Sequence, residues 1–470
     1  MLDEGRDTLR DDPRSSAAPA PTDFRPSGPE SCAADLAAWD REHVWHAFTQ
    51  MQEYEPLLIE SGEGCTLIDS DGRRYLDGSA SMWCNVHGHG HPRLDAALLS
   101  QAGRVAHTTN LGLSNPTTIE FAKRLVEVAP PGLEKVFFTG DGSSAIEAAL
   151  KMAFQYWLQA DPPREGRTKF VAIGEAYHGD TLGAVAVGGV DRFTSVFAPL
   201  TFEPIRLPSP GGACPSTGRP APTLGESLEF LERVLVEHAG NVAAMVMEPV
   251  MQAAAGIWIH PEGYLRGVRE LTRKHGVLLI LDEVAVGFGR TGTMFACQQE
   301  NVIPDFLCLA KGLTGGYMPL AATLTHGKIY DAFLGGADRA FYYGHSYTAN
   351  PLACAAALAN LNLFTSESTL THLPEKIRHF HTSLATLKSQ HPWIYEIRHC
   401  GLIAGIELRR PDGGKFPIAE RFGEAICLAA RAHGLLTRPI LDTVVLMPPL
   451  SISLAEIDHA IHALDRALSQ

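Results

Sequence analysis

Long hydrophobic runs are missing from this sequence of 470 residues. No stretch reaches the roughly 18 apolar residues that a membrane-spanning helix needs, and the first residues lack the apolar segment of a signal peptide. Long basic runs are also missing, and the formal net charge is −14. The sequence therefore gives no indication of a partner membrane or nucleic acid, and we expect a cytoplasmic protein.

Cysteine pairs with the spacing of metal ligands are also absent. The nine cysteines are an odd number and form no CxxC motif. Several lie in apolar runs, so we expect small core residues in a reducing compartment. His87, His89 and His91 alternate with glycine and proline, but this spacing fits no standard metal site. We predict a tight backbone path there and no metal.

The length and the apolar content of 45 % fit a globular protein with one large core and one smaller core. Apolar strands alternate with helices through the middle of the chain, which predicts an α/β fold with a mostly parallel central sheet and helices on both faces. We predict four parts: a disordered tail (1–35), an N-terminal segment of the small domain (36–80), a large domain (81–349), and a connector helix with a small α+β domain (350–470).

Two reactive side chains follow apolar strands near the centre of the chain. The run 277–281 ends in Asp282, and the run 306–310 ends in Lys311. A poorly hydrated lysine is partly neutral and can attack a carbonyl, whereas a carboxylate can hold a pyridine nitrogen in its protonated form. Together they indicate a site for pyridoxal phosphate (PLP) at the edge of the sheet, although either residue alone is commonly a solvated lysine or a turn aspartate.

Further candidate residues also follow predicted strands. Gly142 and Ser143 open a helix, whose free N–H groups could bind a phosphate, although helix capping explains the same residues. Tyr177 could lie flat on a cofactor ring, and Trp83 could form a wall of the substrate site. Arg438 precedes a proline among apolar residues, and could bind a carboxylate or pair with an internal acidic residue.

Taken together, these residues resemble the class III (ω-amino acid) aminotransferases of PLP fold type I, from about residue 37 to the end. The broad motifs are Leu-Asp-Glu at 281–283, Gly-Arg-Thr-Gly at 289–292 and Leu-Ala-Lys-Gly at 309–312. Narrower motifs resemble the branch of the family that acts in biotin biosynthesis: WHAFTQM at 45–51, EAYHGDT at 175–181, and NPLAC at 350–354 together with Arg-Pro at 438–439.

The resemblance implies an enzyme that transfers an amino group to 8-amino-7-oxononanoate, with S-adenosylmethionine as the donor or lysine as the alternative donor. It implies a homodimer with shared active sites and PLP as the cofactor. Lys311 would bond covalently to PLP and shuttle a proton, and Asp282 would hold the pyridinium. The other implied roles are phosphate binding (Gly142, Ser143, the partner's His345, the partner's Ser346), ring stacking (Tyr177), support of the substrate loop (Asp180), carboxylate binding (Arg438) and the substrate channel (Phe48, Trp83, Gly344).

Three places depart from the best-known members of this branch. Met82 replaces a second tryptophan, Phe48 replaces a tyrosine, and the pair His345 and Ser346 replaces Pro-Thr. Because these positions contact the amino donor, the donor is open between S-adenosylmethionine and lysine. Two other functions are a different ω-aminotransferase that uses a diamine with pyruvate or 2-oxoglutarate, and a non-catalytic regulator, which would be expected to carry a DNA-binding domain.

Overall fold

The computed structural model describes residues 32–212 and 220–470. Residue contacts divide the chain into two compact units, Met1–Leu58 and Ile59–Gln470. Of the predicted tail, residues 1–31 lie outside the described part, and a helix already begins at Ala33. The other predicted boundaries, after residues 80 and 349, fall inside the second unit and stay predictions.

Within the described residues, the strands are short and are distributed over four sheets, all of them in the second unit. They are β1 (Ile59–Glu63), β2 (Thr66–Asp69), β3 (Arg74–Asp77), β4 (Leu133–Thr139), β5 (Lys169–Ile173), β6 (Ile205–Leu207), β7 (Val242–Met247), β8 (Met251–Gln252), β9 (Trp258–Ile259), β10 (Leu278–Asp282), β11 (Phe306–Leu309), β12 (Ala321–His326), β13 (Ile394–Cys400), β14 (Ile403–Leu408), β15 (Leu435–Leu436), β16 (Arg438–Ile440) and β17 (Thr443–Leu446).

The helices alternate with these strands through most of the chain. They are α1 (Ala33–His43), α2 (Ala80–Trp83), α3 (Pro92–Arg104), α4 (Pro116–Val128), α5 (Gly142–Gln159), α6 (Leu182–Val187), α7 (Asp191–Thr194), α8 (Leu224–Glu237), α9 (Tyr264–Lys274), α10 (Gly327–Asp331), α11 (Pro351–Ser366), α12 (Thr369–Gln390), α13 (Phe422–Ala432) and α14 (Leu454–Leu468). Short 3₁₀ turns cover Ser195–Leu200, Ala296–Glu300, Lys311–Thr314, Ala337–Arg339 and Ile418–Glu420. None of the described helices is long and apolar enough to span a lipid bilayer.

The central sheet has the strand order β4-β12-β11-β10-β7-β5-β6. The five strands from β11 to β6 are parallel, and β12 runs antiparallel to both of its neighbours. Alternate residues of β10 enter different buried clusters: Leu279 and Leu281 pack in one, and Leu278 and Ile280 in the other. Both faces of the sheet are therefore covered, which confirms the predicted fold class.

Two smaller sheets join distant parts of the chain. One has the order β1-β2-β3-β15, in which β2 and β3 form an antiparallel hairpin and β15 adds in parallel. The other has the order β13-β14-β17-β16 and is antiparallel. Residues near 60–77 and residues near 435 thus form one β-sheet although they are far apart in sequence.

The segment after β3 makes an unusual turn that the sequence does not reveal. Ala80, Ser81, Met82 and Trp83 all have positive φ, between 47° and 69°. Left-handed backbone is strained for residues other than glycine, so neighbouring contacts must stabilise it. Asp77 supplies them, because its carboxylate accepts hydrogen bonds from the N–H of Ser81 (3.0 Å) and from its hydroxyl (2.8 Å).

The three histidines of this region have separate roles. His89 Nε2 lies 3.0 Å from Asp77 Oδ2, and His91 Nε2 lies 3.1 Å from Glu367 Oε1. His87 is buried against Phe364, and burial lowers its pKa to about 4. Each histidine therefore stabilises a different neighbour. No cluster suited to a metal occurs among residues 32–212 and 220–470.

We expect Asp77→Ala to lower the free energy of unfolding by about 2–4 kcal/mol, because the strained turn loses its buried acceptor. Urea denaturation of the purified protein measures the change. Asp71→Ala in the same hairpin is the control, since Asp71 is exposed and pairs only at the surface with Arg73. Equal unfolding curves for the two variants would contradict this role of Asp77.

Candidate active site

The predicted reactive residues meet at one edge of the central sheet. Asp282 ends β10, and Lys311 follows β11 after a single residue. The loop at 175–181 follows β5, Glu248 follows β7, and α5 begins three residues after β4. Because these strands are parallel to one another, all five connections leave the sheet on the same side. The topology thus creates a site from segments that are distant in sequence.

Asp282 forms the most deeply buried polar pair of this edge with His178. His178 Nδ1 lies 2.7 Å from Asp282 Oδ2, and the exposed fractions of the two side chains are 0 % and 5 %. Asp282 Oδ1 accepts a hydrogen bond from the N–H of Val284 at 3.0 Å. A carboxylate can only accept, so Nδ1 carries the proton, and the Nε2 atom of His178 has no partner among the described residues.

Lys311 is half-buried in the middle of this edge. Its φ of 45° is strained, and its Nζ lies 4.7 Å from the ring centre of Trp83. Desolvation lowers the pKa of the Lys311 amine, which the carboxylates of Asp282 and Glu248 only partly oppose. The amine is therefore closer to its neutral, nucleophilic form than a solvated lysine would be.

The start of α5 lies against the loop after β5. Asp141 caps the helix by accepting from the N–H of Ser144, which leaves the hydroxyl of Ser143 free to pair with Thr181 Oγ1 at 2.7 Å. A Cβ atom on Gly179 would lie only 2.4 Å from Ser143 Oγ. The approach of the loop therefore requires glycine, and Thr181 is a polar neighbour that the sequence did not single out.

Glu248 holds the backbone beside Tyr177. Its carboxylate accepts hydrogen bonds from the N–H of Tyr177 at 3.2 Å and from that of Ala253 at 2.8 Å. Burial raises the pKa of Glu248 to about 7. The Tyr177 hydroxyl donates to Asp180 at 2.8 Å, and desolvation followed by this bond raises the tyrosine's pKa. These contacts fix both ends of a half-buried aromatic side chain.

Arg438 is brought to the same region by β16. Its Nη1 lies 3.8 Å from the sulfur atom of Met82, the residue before Trp83. Burial lowers the pKa of the Arg438 guanidinium. No salt bridge to Arg438 occurs among the described residues, so the internal ion pair that the sequence left open is not observed there. The guanidinium is available to a ligand.

The remaining predicted site residues are Phe48, Gly344, His345 and Ser346. Gly344 and Ser346 are exposed, whereas His345 is half-buried. A Cβ atom added to Gly140 of the same chain would lie 3.2 Å from the His345 ring. Phe48 is 57 % exposed and belongs to the first compact unit. Their predicted roles at the phosphate and in the substrate channel stay predictions.

Like Thr181, His178 and Glu248 are polar residues of this site to which the sequence analysis gave no role. His178 stands inside the EAYHGDT motif, directly after Tyr177, so the motif itself could have indicated it. Glu248 gave a weaker signal, since it is a carboxylate at the end of an entirely buried strand. Neither pairing could be read from the sequence, because the partners lie 104 and 71 positions away.

The chemistry of these groups fits PLP. A desolvated amine can bond to an aldehyde, a buried carboxylate can hold a pyridinium, and the start of α5 can accept a phosphate. His178 orients the carboxylate through its Nδ1 atom. Together with the mostly parallel sheet, these features define a PLP-dependent enzyme of fold type I.

Comparison with known proteins identifies the family. The family model for aminotransferase class III matches residues 48–468. The adenosylmethionine-8-amino-7-oxononanoate aminotransferase of Geobacter sulfurreducens is 48 % identical over 451 residues, which cover 94 % of this chain and 98 % of that protein. The chain therefore belongs to the class III aminotransferases, which use PLP.

Solved structures agree with this assignment. The crystal structure of the adenosylmethionine-8-amino-7-oxononanoate aminotransferase of Methanocaldococcus jannaschii has a TM-score of 0.87 and 40 % identity, covering 92 % of this chain and 98 % of that one. An amine transaminase from an uncultivated Pseudomonas species, solved in its PLP-bound form, has a TM-score of 0.83 and 32 % identity, with coverages of 91 % and 98 %. Both similarities extend over almost the whole chain.

The raised pKa of Glu248 predicts how stability depends on pH. Between about pH 4.5 and pH 7 the folded protein keeps this proton and the unfolded chain loses it, so stability falls as pH rises. In Glu248→Gln this contribution is absent, and the slope should be less negative by up to about 1.4 kcal/mol per pH unit. Urea denaturation at pH 5, 6 and 7 measures both slopes. Parallel slopes would show that Glu248 is already ionised at pH 5.

Proposed function

We propose that this enzyme transfers an amino group to 8-amino-7-oxononanoate in biotin biosynthesis, with S-adenosylmethionine as the donor. The observation that supports this most is the 48 % identity to an enzyme of that name over 94 % of the chain. The position of Arg438 agrees, because the acceptor carries a carboxylate at one end. Lysine stays the alternative donor, and a cytoplasmic location stays a prediction from the sequence.

The residues at the sheet edge have distinct tasks in this reaction. PLP, when bound, supplies an aldehyde and an electron-withdrawing ring. The neutral Lys311 Nζ would hold PLP through its aldehyde, and the same amine, once free, would carry the proton at the reacting carbon of the substrate. Asp282, oriented by His178, would hold the ring nitrogen in its protonated form. Tyr177, fixed by Glu248 and Asp180, would cover the ring and exclude water.

The proposed enzyme is a homodimer. A groove on α5 is lined by exposed or half-buried apolar and aromatic side chains, among them Phe154, Leu158, Phe202 and Tyr342. Apolar surface of this kind is commonly covered by another subunit. Tyr342 is two residues from Gly344, so a second chain seated there would meet the segment that carries His345 and Ser346. This proximity in sequence supports the proposed phosphate contacts across the interface.

The donor can be tested in a single turnover of the PLP-loaded enzyme. We expect S-adenosylmethionine, as the sole donor, to remove the visible absorbance band of the bound cofactor, because the amino group passes to PLP in the first half-reaction. Stopped-flow absorbance with S-adenosylmethionine, lysine or a diamine measures it. Lys311→Ala is the control and should show no such conversion.

The outcomes of the donor test separate the candidate functions. Conversion by lysine alone would replace the proposed donor, and conversion by the diamine alone would indicate an ω-aminotransferase with another substrate. A protein that never forms the absorbance band after addition of PLP would contradict every enzymatic function. Conversion by S-adenosylmethionine would also show that Phe48 and Met82 are compatible with this donor.

Mixed dimers test whether His345 and Ser346 act across the interface. One chain carries Lys311→Ala and the other carries Ser346→Ala. In a mixed dimer, the site with intact Lys311 would receive the partner's intact Ser346, so we expect about half of the wild-type activity per dimer, well above either homodimer. Activity of dimers purified with two different affinity tags measures this.

The same experiment distinguishes the two arrangements of the phosphate site. If Ser346 acts within its own chain, as the position of His345 beside Gly140 would allow, every site of the mixed dimer lacks one group and no activity is recovered. Dimers of two differently tagged Lys311→Ala chains control for wild-type contamination. A purely monomeric protein in analytical ultracentrifugation would contradict the dimer itself.

A further inference from the structure

A second arginine, Arg192, lies beside the proposed carboxylate site and was not indicated by any motif. It belongs to α7, a four-residue helix that is separated by α6 from the loop carrying Tyr177. Its guanidinium carbon lies 4.5 Å from the ring centre of Phe193, and that ring packs edge-on against Tyr177 at 5.4 Å. Arg192 is thus connected to the aromatic wall of the site through one intervening ring.

A further contact fixes the direction of Arg192. Its Nη2 donates to the carbonyl oxygen of Ala254 at 3.4 Å. Ala254 belongs to the buried cluster that contains Trp83, and Tyr177 and Phe193 pack against the same cluster. The side chain therefore points toward the active site, although part of its surface is exposed.

Arg192 and Arg438 lie close enough to repel each other. The positive charge of Arg438 contributes to lowering the pKa of Arg192, after the larger effect of desolvation. Glu175 attracts Arg192, but neither arginine forms a salt bridge among the residues that the structure describes. Two neighbouring guanidinium groups that form no salt bridge are an unfavourable arrangement without a bound anion.

We propose that Arg192 and Arg438 together bind the carboxylate of a substrate, with Arg192 as a residue that determines specificity. This inference rests on the proposed function only for the identity of that substrate, which is either 8-amino-7-oxononanoate or the amino donor. The carboxylate would occupy the space between the two guanidinium groups and relieve their repulsion. Met82, which contacts Arg438, is unbranched and flexible, so it can move aside for a ligand.

Carboxylate binding can be measured without turnover. Isothermal titration calorimetry of the PLP-loaded enzyme compares nonanoate with nonanamide, which has the same chain length and no charge. We expect Arg192→Gln to weaken nonanoate binding about tenfold and to leave nonanamide binding unchanged, because a charge-assisted contact is lost. A merely structural role of Arg192 would weaken both ligands equally.

Arg206 provides a matched control. Like Arg192, it donates to a backbone carbonyl, that of Ala186, and it is attracted by Glu175. The structure gives no interaction between Arg206 and Arg438, so Arg206→Gln removes the same charge without removing the second guanidinium. We expect the nonanoate affinity of this variant to equal that of the wild type. Arg192→Lys should retain only part of the affinity, since lysine cannot bind a carboxylate in a bidentate manner.

Two results would overturn this inference: unchanged nonanoate binding in Arg192→Gln, and equal losses for nonanoate and nonanamide. Steady-state kinetics then identify the ligand, because only the KM of the substrate whose carboxylate meets Arg192 should rise. If the wild type does not convert 8-amino-7-oxononanoate at all, the proposed function fails, and the calorimetric comparison still decides the role of Arg192.

Discussion

The contact between Asp282 and His178 is the interaction on which the active site depends. A carboxylate with almost no exposure is costly unless it is paired, and Asp282 is paired through its 2.7 Å contact to a fully buried imidazole and its hydrogen bond from the N–H of Val284. The pair also joins β10 to the loop after β5, so it orients that loop relative to Lys311. This connection helps to position the loop residues Tyr177, Gly179 and Thr181. A substitution of either residue would therefore disturb both the residue proposed to stack on the cofactor ring and the proposed phosphate site.

Much of the fold follows from local sequence patterns. The short runs at 277–281 and 306–310 are apolar without alternation, as is typical of parallel strands that are buried on both faces of a sheet, and both form strands there. The same rule locates β5 and β7, and helical spacing locates α5. Since parallel strands end on one side, the strand ends that carry Lys311 and Asp282 could be placed together before any contact was known. The catalytic centre is therefore the part of the site that the sequence predicts best.

Contacts between distant segments could not be predicted in this way. The left-handed turn at Ala80–Trp83 contains no glycine, and it is stable because Asp77 accepts two hydrogen bonds from Ser81. Propensity alone would predict an ordinary loop there, so the position of Trp83 depends on backbone strain that buried polar contacts offset. The roles of His178 and Glu248 likewise depend on partners that are distant in sequence and that the fold brings close to them. These are the places where tertiary structure overrides local preference.

The residues proposed to act on the cofactor and those proposed to select the substrate occupy different structural elements of this protein. Groups that act on the cofactor stand at strand ends, where the backbone is rigid and its direction is set by the sheet. Arg192, Arg438 and Met82, which we propose to lie near the substrate, stand on a short helix, a three-residue strand and a strained turn, all outside the central sheet. Family motifs are therefore sufficient for the chemistry but not for the donor. A guanidinium on α7, outside every motif, is the kind of residue through which a shared reaction centre acquires a particular substrate.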